Sequence, residues 1–167
     1  MDFLTILVAV ILVLIIILVV IYNRLVRKRN SVESAWANID VQLQRRDDLI
    51  PNLVETVKGY ARHEQETFER ITMLRTSYRE AASPKEVAEI DRAMNQSVKH
   101  LFAVAENYPQ LKASDNFLML QESLAGTENR ISYSRNNYNQ SVRSYNTAIQ
   151  TIPGVWLARP LHFKEKE

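Results

Sequence analysis

The N-terminal apolar run is the feature that most constrains this chain. It begins at Phe3 and ends at Ile21, and it contains one hydroxyl group, that of Thr5, and no charged residue. As a helix with a rise of ~1.5 Å per residue, these roughly 19 positions span about 28 Å, close to the ~30 Å hydrocarbon core of a bilayer. The run therefore predicts a single transmembrane anchor at residues 1–22.

The flanks of this run favour an uncleaved anchor over a signal peptide. A signal peptide has a basic start and a small-residue cleavage site, whereas here Asp2 precedes the run and Tyr22 follows it. The juxtamembrane basic residues come next: Arg24, Arg27, Lys28 and Arg29. Because cytoplasmic flanks carry an excess of Lys and Arg, we expect a single-pass protein of the bacterial inner membrane, N-out, with the remaining chain in the cytoplasm.

Composition narrows the function of the part outside the membrane. The chain has 21 Lys and Arg against 19 Asp and Glu, so a nucleic-acid partner is not expected. With no cysteine and only 3 glycines, it has neither a thiol site nor a glycine-rich phosphate loop. We expect no cofactor, and the lipid bilayer is the first predicted partner.

The first amphipathic segment runs from Val32 to Tyr78, with apolar residues three and four apart. Pro51 lies inside it, and the register does not slip there, which favours one long helix kinked at the proline. A break with Asp47 or Asp48 as a new N-cap is the alternative.

Proline and capping residues delimit the second helix. Ser83, Pro84 and Glu86 form a capping-box start, and Pro109 is predicted to end the helix.

A third helix is predicted to begin at a cap on Ser114 or Asp115 and to stop before Pro153. No stretch has the alternation of a strand, so the fold is predicted to be all-α. Residues 23–152 are expected to form an elongated antiparallel bundle of three to four helices, followed by an aromatic and basic tail at 153–167.

Polar residues interrupt the apolar stripes. Arg46 and Glu64 occupy stripe positions in the first segment, and Tyr138 and Tyr145 lie one heptad apart in the third. Such groups either form satisfied polar layers inside the bundle or contact another subunit. The tail that contains Trp156 could fold back on the bundle, lie on the membrane surface or bind a neighbour. These five are the candidate interface residues for a homo-oligomer.

No motif specifies catalysis. The His63-Glu64 pair lacks the second histidine of a zinc-protease helix, and no Glu-x-x-His occurs. No nucleophile elbow is present either, so no catalytic, metal or cofactor-binding residue is predicted.

Two blocks of sequence carry a family resemblance. The first contains Ala35-Trp36, Ile39-Asp40-Val41-Gln42-Leu43 and Asp48-Leu49-Ile50-Pro51-Asn52-Leu53; the second contains Glu106-Asn107-Tyr108-Pro109, Asn116-Phe117, Glu128-Asn129-Arg130-Ile131 and Tyr145-Asn146. In these blocks, and along nearly its whole length, the chain resembles the LemA family.

The resemblance implies a bacterial single-pass membrane protein with a helical bundle and no established catalytic activity. A relative in magnetosome membranes suggests a role in shaping or organising membrane. Gene neighbourhoods that include membrane metalloproteases suggest an accessory role in the envelope. Some relatives have a basic or lipoprotein-like N-terminus that would place the bundle outside the cytoplasm, and Asp2 departs from that pattern.

Together these observations predict a non-catalytic, membrane-anchored bundle that self-assembles into a homo-oligomeric scaffold. The alternative is an accessory or adaptor subunit of another envelope protein, for example a membrane protease system.

Overall fold

The computed structural model describes residues 3–167, and all regular secondary structure in that range is helical. The helices are α1 Phe3–Lys58, α2 Gln65–Glu80, α3 Pro84–Ala105, α4 Pro109–Lys112, α5 Asp115–Gln150 and α6 Gly154–Ala158. No strand occurs between residues 3 and 167, which confirms the all-α prediction. Asp2, which contributed to the orientation argument, lies outside the described residues.

The first amphipathic segment is two helices, which corrects the single long helix predicted up to Tyr78. As predicted, α1 continues through Pro51, but it ends at Lys58. Gly59 follows, and glycine is among the poorest helix formers. The N–H of Ala61 donates to the carbonyl of Val57 at 2.8 Å to close the last turn. Tyr60 therefore leaves the predicted apolar stripe and is 44% exposed.

The start of α3 has the predicted cap. Ser83 Oγ accepts a hydrogen bond from the N–H of Glu86 at 3.2 Å. The Glu86 carboxylate accepts from the N–H of Ala82 at 2.8 Å, one residue before the position used in a capping box.

Pro109 has a different role from the one predicted. The helix that it was expected to end stops earlier, at Ala105, and Pro109 is the first residue of α4. A proline fits this position because the first N–H groups of a helix have no intrahelical partner.

The chain forms two compact units. The terminal unit comprises the described residues up to Ile39 together with Tyr133–Glu167, and the central unit comprises Asp40–Ser132. The core of the central unit is built from α1, α2, α3 and α5, with Leu53, Leu101 and Leu124 among its buried side chains. In the terminal unit, α1 and α5 bury Leu25, Val32, Ala35, Ile39, Val142, Tyr145 and Ile149.

Candidate functional site

The predicted anchor is the most apolar and most exposed part of the chain. Within α1, an 18-residue window has a mean hydropathy of 3.8, and none of it is buried within the protein. The side chains from Phe3 to Val20 are exposed, and Ile21 is half-buried. A helix of this length and composition suggests membrane anchoring, because water would contact every one of these side chains in a soluble protein.

The four juxtamembrane basic residues continue along α1 without a break. Arg29 pairs with Glu33 one turn later at 3.2 Å. Arg27 Nε donates to the backbone carbonyl of Asn23 at 3.3 Å, and Arg24 is exposed. Lys28 Nζ donates to Ser144 Oγ on α5.

Arg46 lies inside the central unit and is 6% exposed. Its guanidinium forms an ion pair with the carboxylate of Asp91, which is 1% exposed. It also donates to Asn95 Oδ1 at 3.0 Å and lies 3.5 Å from Glu128 Oε2. The amide of Asn95 in turn donates to Glu128 Oε1 at 3.0 Å. We call these four residues the charged cluster.

The position of Asp91 in the sequence is a signal for this cluster that the sequence analysis did not use. Asp91 lies between Val87 and Met94 at the spacing of four and three that defines the buried stripe of α3. An acidic residue at a stripe position of one helix, with Arg46 at a stripe position of another, predicts a buried pair.

Glu64 lies at the turn between α1 and α2. Its carboxylate is 3.0 Å from His100 Nε2 and accepts from Thr67 Oγ1 at 3.4 Å. This is a polar layer at the edge of the central unit, with both Glu64 and His100 partly open to solvent. Between residues 3 and 167 no group of three or more acidic or histidine side chains is placed to hold a metal ion.

Tyr138 and Tyr145 bind the C-terminal segment of their own chain. Tyr145 is 1% exposed and its hydroxyl donates to the carbonyl of Lys164 at 3.0 Å. The Tyr138 hydroxyl donates to the carbonyl of Glu167 at 2.5 Å, and its ring centroid is 5.4 Å from that of Trp36. Burial raises the pKa of both hydroxyls.

Asn146 completes this docking. Its amide nitrogen donates to the carbonyl of Lys166 at 2.8 Å, and its amide oxygen accepts from the N–H of the same residue at 3.0 Å. The Tyr and Asn side chains of this helix, poor helix formers by themselves, thus take tertiary partners from the tail. The tail folds back on α5, one of the three alternatives left open by the sequence.

Trp156, on α6, is 66% exposed. It differs in this from Arg46, Tyr138 and Tyr145, which are buried against their own chain. Arg46 and Glu64 belong to the central unit, whereas the two tyrosines and Trp156 belong to the terminal unit. Their assignment to a subunit interface stays a prediction.

Two further contacts in the central unit were missed from the sequence. Arg75 on α2 binds Asp47 of α1 through Nε at 2.6 Å and Nη2 at 3.1 Å, and this hydrogen bond raises the pKa of the guanidinium. Tyr78 donates to Asp40 Oδ1 at 2.6 Å, and burial together with this bond raises its pKa. Asp47, the alternative N-cap, is thus an ion-pair partner because the turn after Lys58 brings α2 alongside α1.

Several known proteins are similar to this chain over most of its length. The magnetosome protein MamQ of Magnetospirillum gryphiswaldense is 26% identical over 87% of this chain and 63% of its own length. MamQ 2 of Paramagnetospirillum magneticum is 27% identical over the same shares, and protein LemA of Metamycoplasma hominis is 28% identical over 78% of this chain and 60% of its own. The chain thus spans about three-fifths of the length of these relatives.

The family model agrees with the relatives. The model of the LemA family matches residues 35–167, which takes in both sequence blocks and all of the described helices from α2 onward. This chain belongs to the LemA family.

Proposed function

We propose that this protein is a non-catalytic, membrane-anchored scaffold that self-assembles through the exposed face of α5. The membrane and family parts of this proposal rest on the apolar helix and on the relatives, two of which are named as magnetosome proteins. The observation that supports self-assembly is the composition of the exposed face of α5.

The exposed face of α5 has large uncharged side chains that its own chain leaves uncovered. Met119 is 61% exposed and Tyr133 is 77% exposed. They lie two heptads apart, with Gly126 midway, so the three share one side of the helix. A Cβ atom built on Gly126 would meet nothing within 4 Å. A glycine between two large residues leaves room for a second helix to approach closely.

A second copy of this chain is the occupant that this face fits. Asn129 and Asn137, which are also exposed on this side of α5, carry no charge, and the two charged residues there, Glu122 and Arg130, have opposite signs. Two such faces can bring Glu122 of one copy near Arg130 of the other, and tyrosine and asparagine supply hydrogen bonds across the contact. Anchoring in one bilayer further raises the local concentration of copies.

The role that we propose for the assembly is to organise the membrane. The MamQ relatives are named as magnetosome proteins, and we extend a membrane-organising role to this chain on that likeness. The four basic residues after Ile21 support an orientation with the helices beyond the anchor in the cytoplasm and the N-terminus outside the inner membrane.

The test compares Tyr133→Arg with Ser132→Arg in full-length protein extracted in mild detergent. Both sites are exposed on α5, but they point about 100° apart around the helix. We expect a uniform large particle for the parent chain and for the Ser132 variant, and a smaller one for the Tyr133 variant, by light scattering and particle imaging. Equal masses for the two variants would remove this face from the assembly.

The second candidate is an adaptor for another envelope protein. It is favoured by an open groove at the turn between α1 and α2 in the central unit, where Met73, 64% exposed, and Phe68 lie beside Lys58 and Arg62. A monomeric or dimeric parent chain, together with one dominant foreign partner in cross-linking, would support it against the scaffold.

A reporter fused to the C-terminus tests the orientation. Activity of a cytoplasmic reporter is expected, and activity of a periplasmic reporter would reverse the assignment of sides.

A further inference from the structure

A cleft lies in the terminal unit where the predicted membrane span ends. It has a volume of about 530 Å³ and adjoins a second depression of about 430 Å³ that shares Arg24, Lys28, Gln140 and Ser144 with it. We call the two together the juxtamembrane cleft. One wall is α1 over the turns on either side of Ile21, and the other is the last part of α5. Its size is within the ~300–1,000 Å³ typical of small-molecule sites.

The charge of the cleft is uniformly positive. Arg24, Arg27 and Lys28 line it from α1, and Arg143 lines it from α5, with no carboxylate among its lining residues. None of these four cations has an ion pair with any acidic residue between residues 3 and 167. Arg29, by contrast, does not line the cleft and pairs with Glu33. Four cations without carboxylates favour an anionic ligand.

The cleft is also partly apolar, on the side nearest the membrane span. Val20, Ile21 and Leu25 contribute from α1, and Ile152, 69% exposed, contributes from the segment after α5. Lys28 lies seven residues beyond Ile21, which is about 10 Å along the helix axis. The headgroup layer is only ~5–8 Å thick on each side of the hydrocarbon, so Arg24, about 5 Å beyond Ile21, lies at its depth and Lys28 just beyond it. Cations and apolar side chains thus face the matching parts of one lipid.

Hydroxyl and amide groups complete the polar part of the cleft. Ser144 Oγ accepts from Lys28 Nζ, which leaves the serine O–H free to donate to a phosphate oxygen. Gln140 lies one helical turn before it on the same face of α5. Phosphate oxygens accept several hydrogen bonds at once, and guanidinium and ammonium groups supply the strongest of them.

We propose that the juxtamembrane cleft binds the phosphodiester headgroup of an anionic phospholipid, with Arg24, Lys28 and Arg143 contacting the phosphate. A free phosphate shares the polar chemistry but makes no use of the apolar side of the cleft. The site depends on the anchor and is independent of self-assembly through α5, so either can fail without the other.

Substitution of Arg143 distinguishes a specific lipid site from the general electrostatic attraction of juxtamembrane basic residues to the membrane. Arg143 is more than a hundred residues from the juxtamembrane run and reaches the cleft only through tertiary structure. Arg130 is an exposed arginine on the same helix that does not line the cleft, so Arg130→Gln matches Arg143→Gln in charge change. Arg29→Gln is the corresponding control for Lys28→Gln.

The experiment uses the full-length chain in detergent and measures retained lipid by native mass spectrometry after addition of phosphatidylglycerol or phosphatidylcholine. We expect preferential binding of phosphatidylglycerol, reduced about fivefold by Arg143→Gln and by Lys28→Gln, with less than about a twofold change in the two controls. Equal effects of Arg143→Gln and Arg130→Gln would overturn the proposal, as would equal binding of the two lipids.

A second arm separates the two sources of phosphate. Inorganic phosphate, added at the same concentration as the lipid, is expected neither to bind detectably nor to displace phosphatidylglycerol. Displacement at that concentration would assign the cleft to a soluble anion and overturn the lipid assignment. Particle mass, recorded on the same samples, shows whether any variant has changed assembly instead of lipid binding.

Discussion

The central and terminal units both bury polar side chains between long helices, but they satisfy them in different ways. In the central unit, Arg46 is paired with side-chain carboxylates of Asp91 and Glu128. In the terminal unit, Tyr138 and Tyr145 donate to backbone carbonyls of the last residues of the chain. One unit uses charge between helices and the other uses neutral hydrogen bonds to a docked segment.

The difference determines how each unit responds to the loss of a partner. Removing one member of a buried ion pair leaves a desolvated charge, which is strongly unfavourable. Removing a neutral hydroxyl leaves a carbonyl that water can reach when the segment moves, and the net value of such a bond is only about 1 kcal/mol. The central unit should therefore be the more sensitive of the two to single polar substitutions.

The largest expected effect is in the charged cluster. Arg46→Ala removes the guanidinium beside the buried carboxylate of Asp91 and should lower the free energy of unfolding by about 3 kcal/mol or more. Chemical denaturation followed by circular dichroism measures this. Arg45→Ala, at the exposed neighbouring position, is the control and should change little. Similar changes in the free energy of unfolding for the two variants would mean that the buried ion pair does not make the central unit more sensitive to substitution.

The next effect concerns the turn into α6 in the terminal unit. A Cβ atom on Gly154 would lie 1.9 Å from the carbonyl oxygen of Ala148, so Gly154→Ala forces the backbone apart. We expect a loss of about 2 kcal/mol, measured by the same denaturation. Gly126→Ala is the matched control, because nothing lies within 4 Å of its Cβ position, and it should be neutral or stabilising. A neutral Gly154→Ala would show that this turn adapts without loss.

Tyr145→Phe tests the docked tail directly. It removes the hydrogen bond to Lys164 and should lower stability by about 1 kcal/mol. In a chain truncated after Phe163 the same substitution should have almost no effect, because its acceptor is gone. A double-mutant cycle from the four unfolding free energies measures the coupling. An unchanged loss in the truncated chain would place the role of this hydroxyl elsewhere.

The smallest effect is a pH dependence in the central unit. Burial and the bond to Asp40 raise the pKa of Tyr78, so the stability that this hydroxyl contributes is complete below the unfolded value of about 10 and is lost as pH rises above it. Tyr78→Phe should reduce the fall in the free energy of unfolding at alkaline pH. The reduction should be smaller than the loss of about 1 kcal/mol expected for Tyr145→Phe. Tyr60→Phe, at an exposed tyrosine, is the control for the loss of a phenol group. Identical alkaline limbs for the parent chain and Tyr78→Phe would contradict the assignment.

Several elements followed from local signals in the sequence. The continuity of α1 through Pro51, the cap at Ser83 and the buried stripe of α5 all depend on residues within a few positions of one another. The end of α1 at Lys58 did not, since the apolar spacing runs on past Gly59 without a change of register. Helical periodicity indicates which residues share a face. It does not reveal a turn between two helices when the spacing of three and four continues across that turn.

The candidate residues show the same division. Their types and stripe positions marked Arg46, Tyr138 and Tyr145 as unusual, but nothing local indicated that the first would pair with Asp91 or that the tyrosines would hold the tail. The sequence likewise gives no indication that Arg143 lines the same cleft as Arg24 and Lys28.

The sequence by itself determined the apolar helix, the all-α fold, the family and the existence of polar interruptions in the buried stripes. These depend on composition and on spacings within one helix, which are independent of how distant segments meet. Only the tertiary structure decided which partners satisfy those interruptions, and which basic residues line a common cleft. Such contacts join residues far apart in the chain, and the free energy that selects them arises only when whole helices pack.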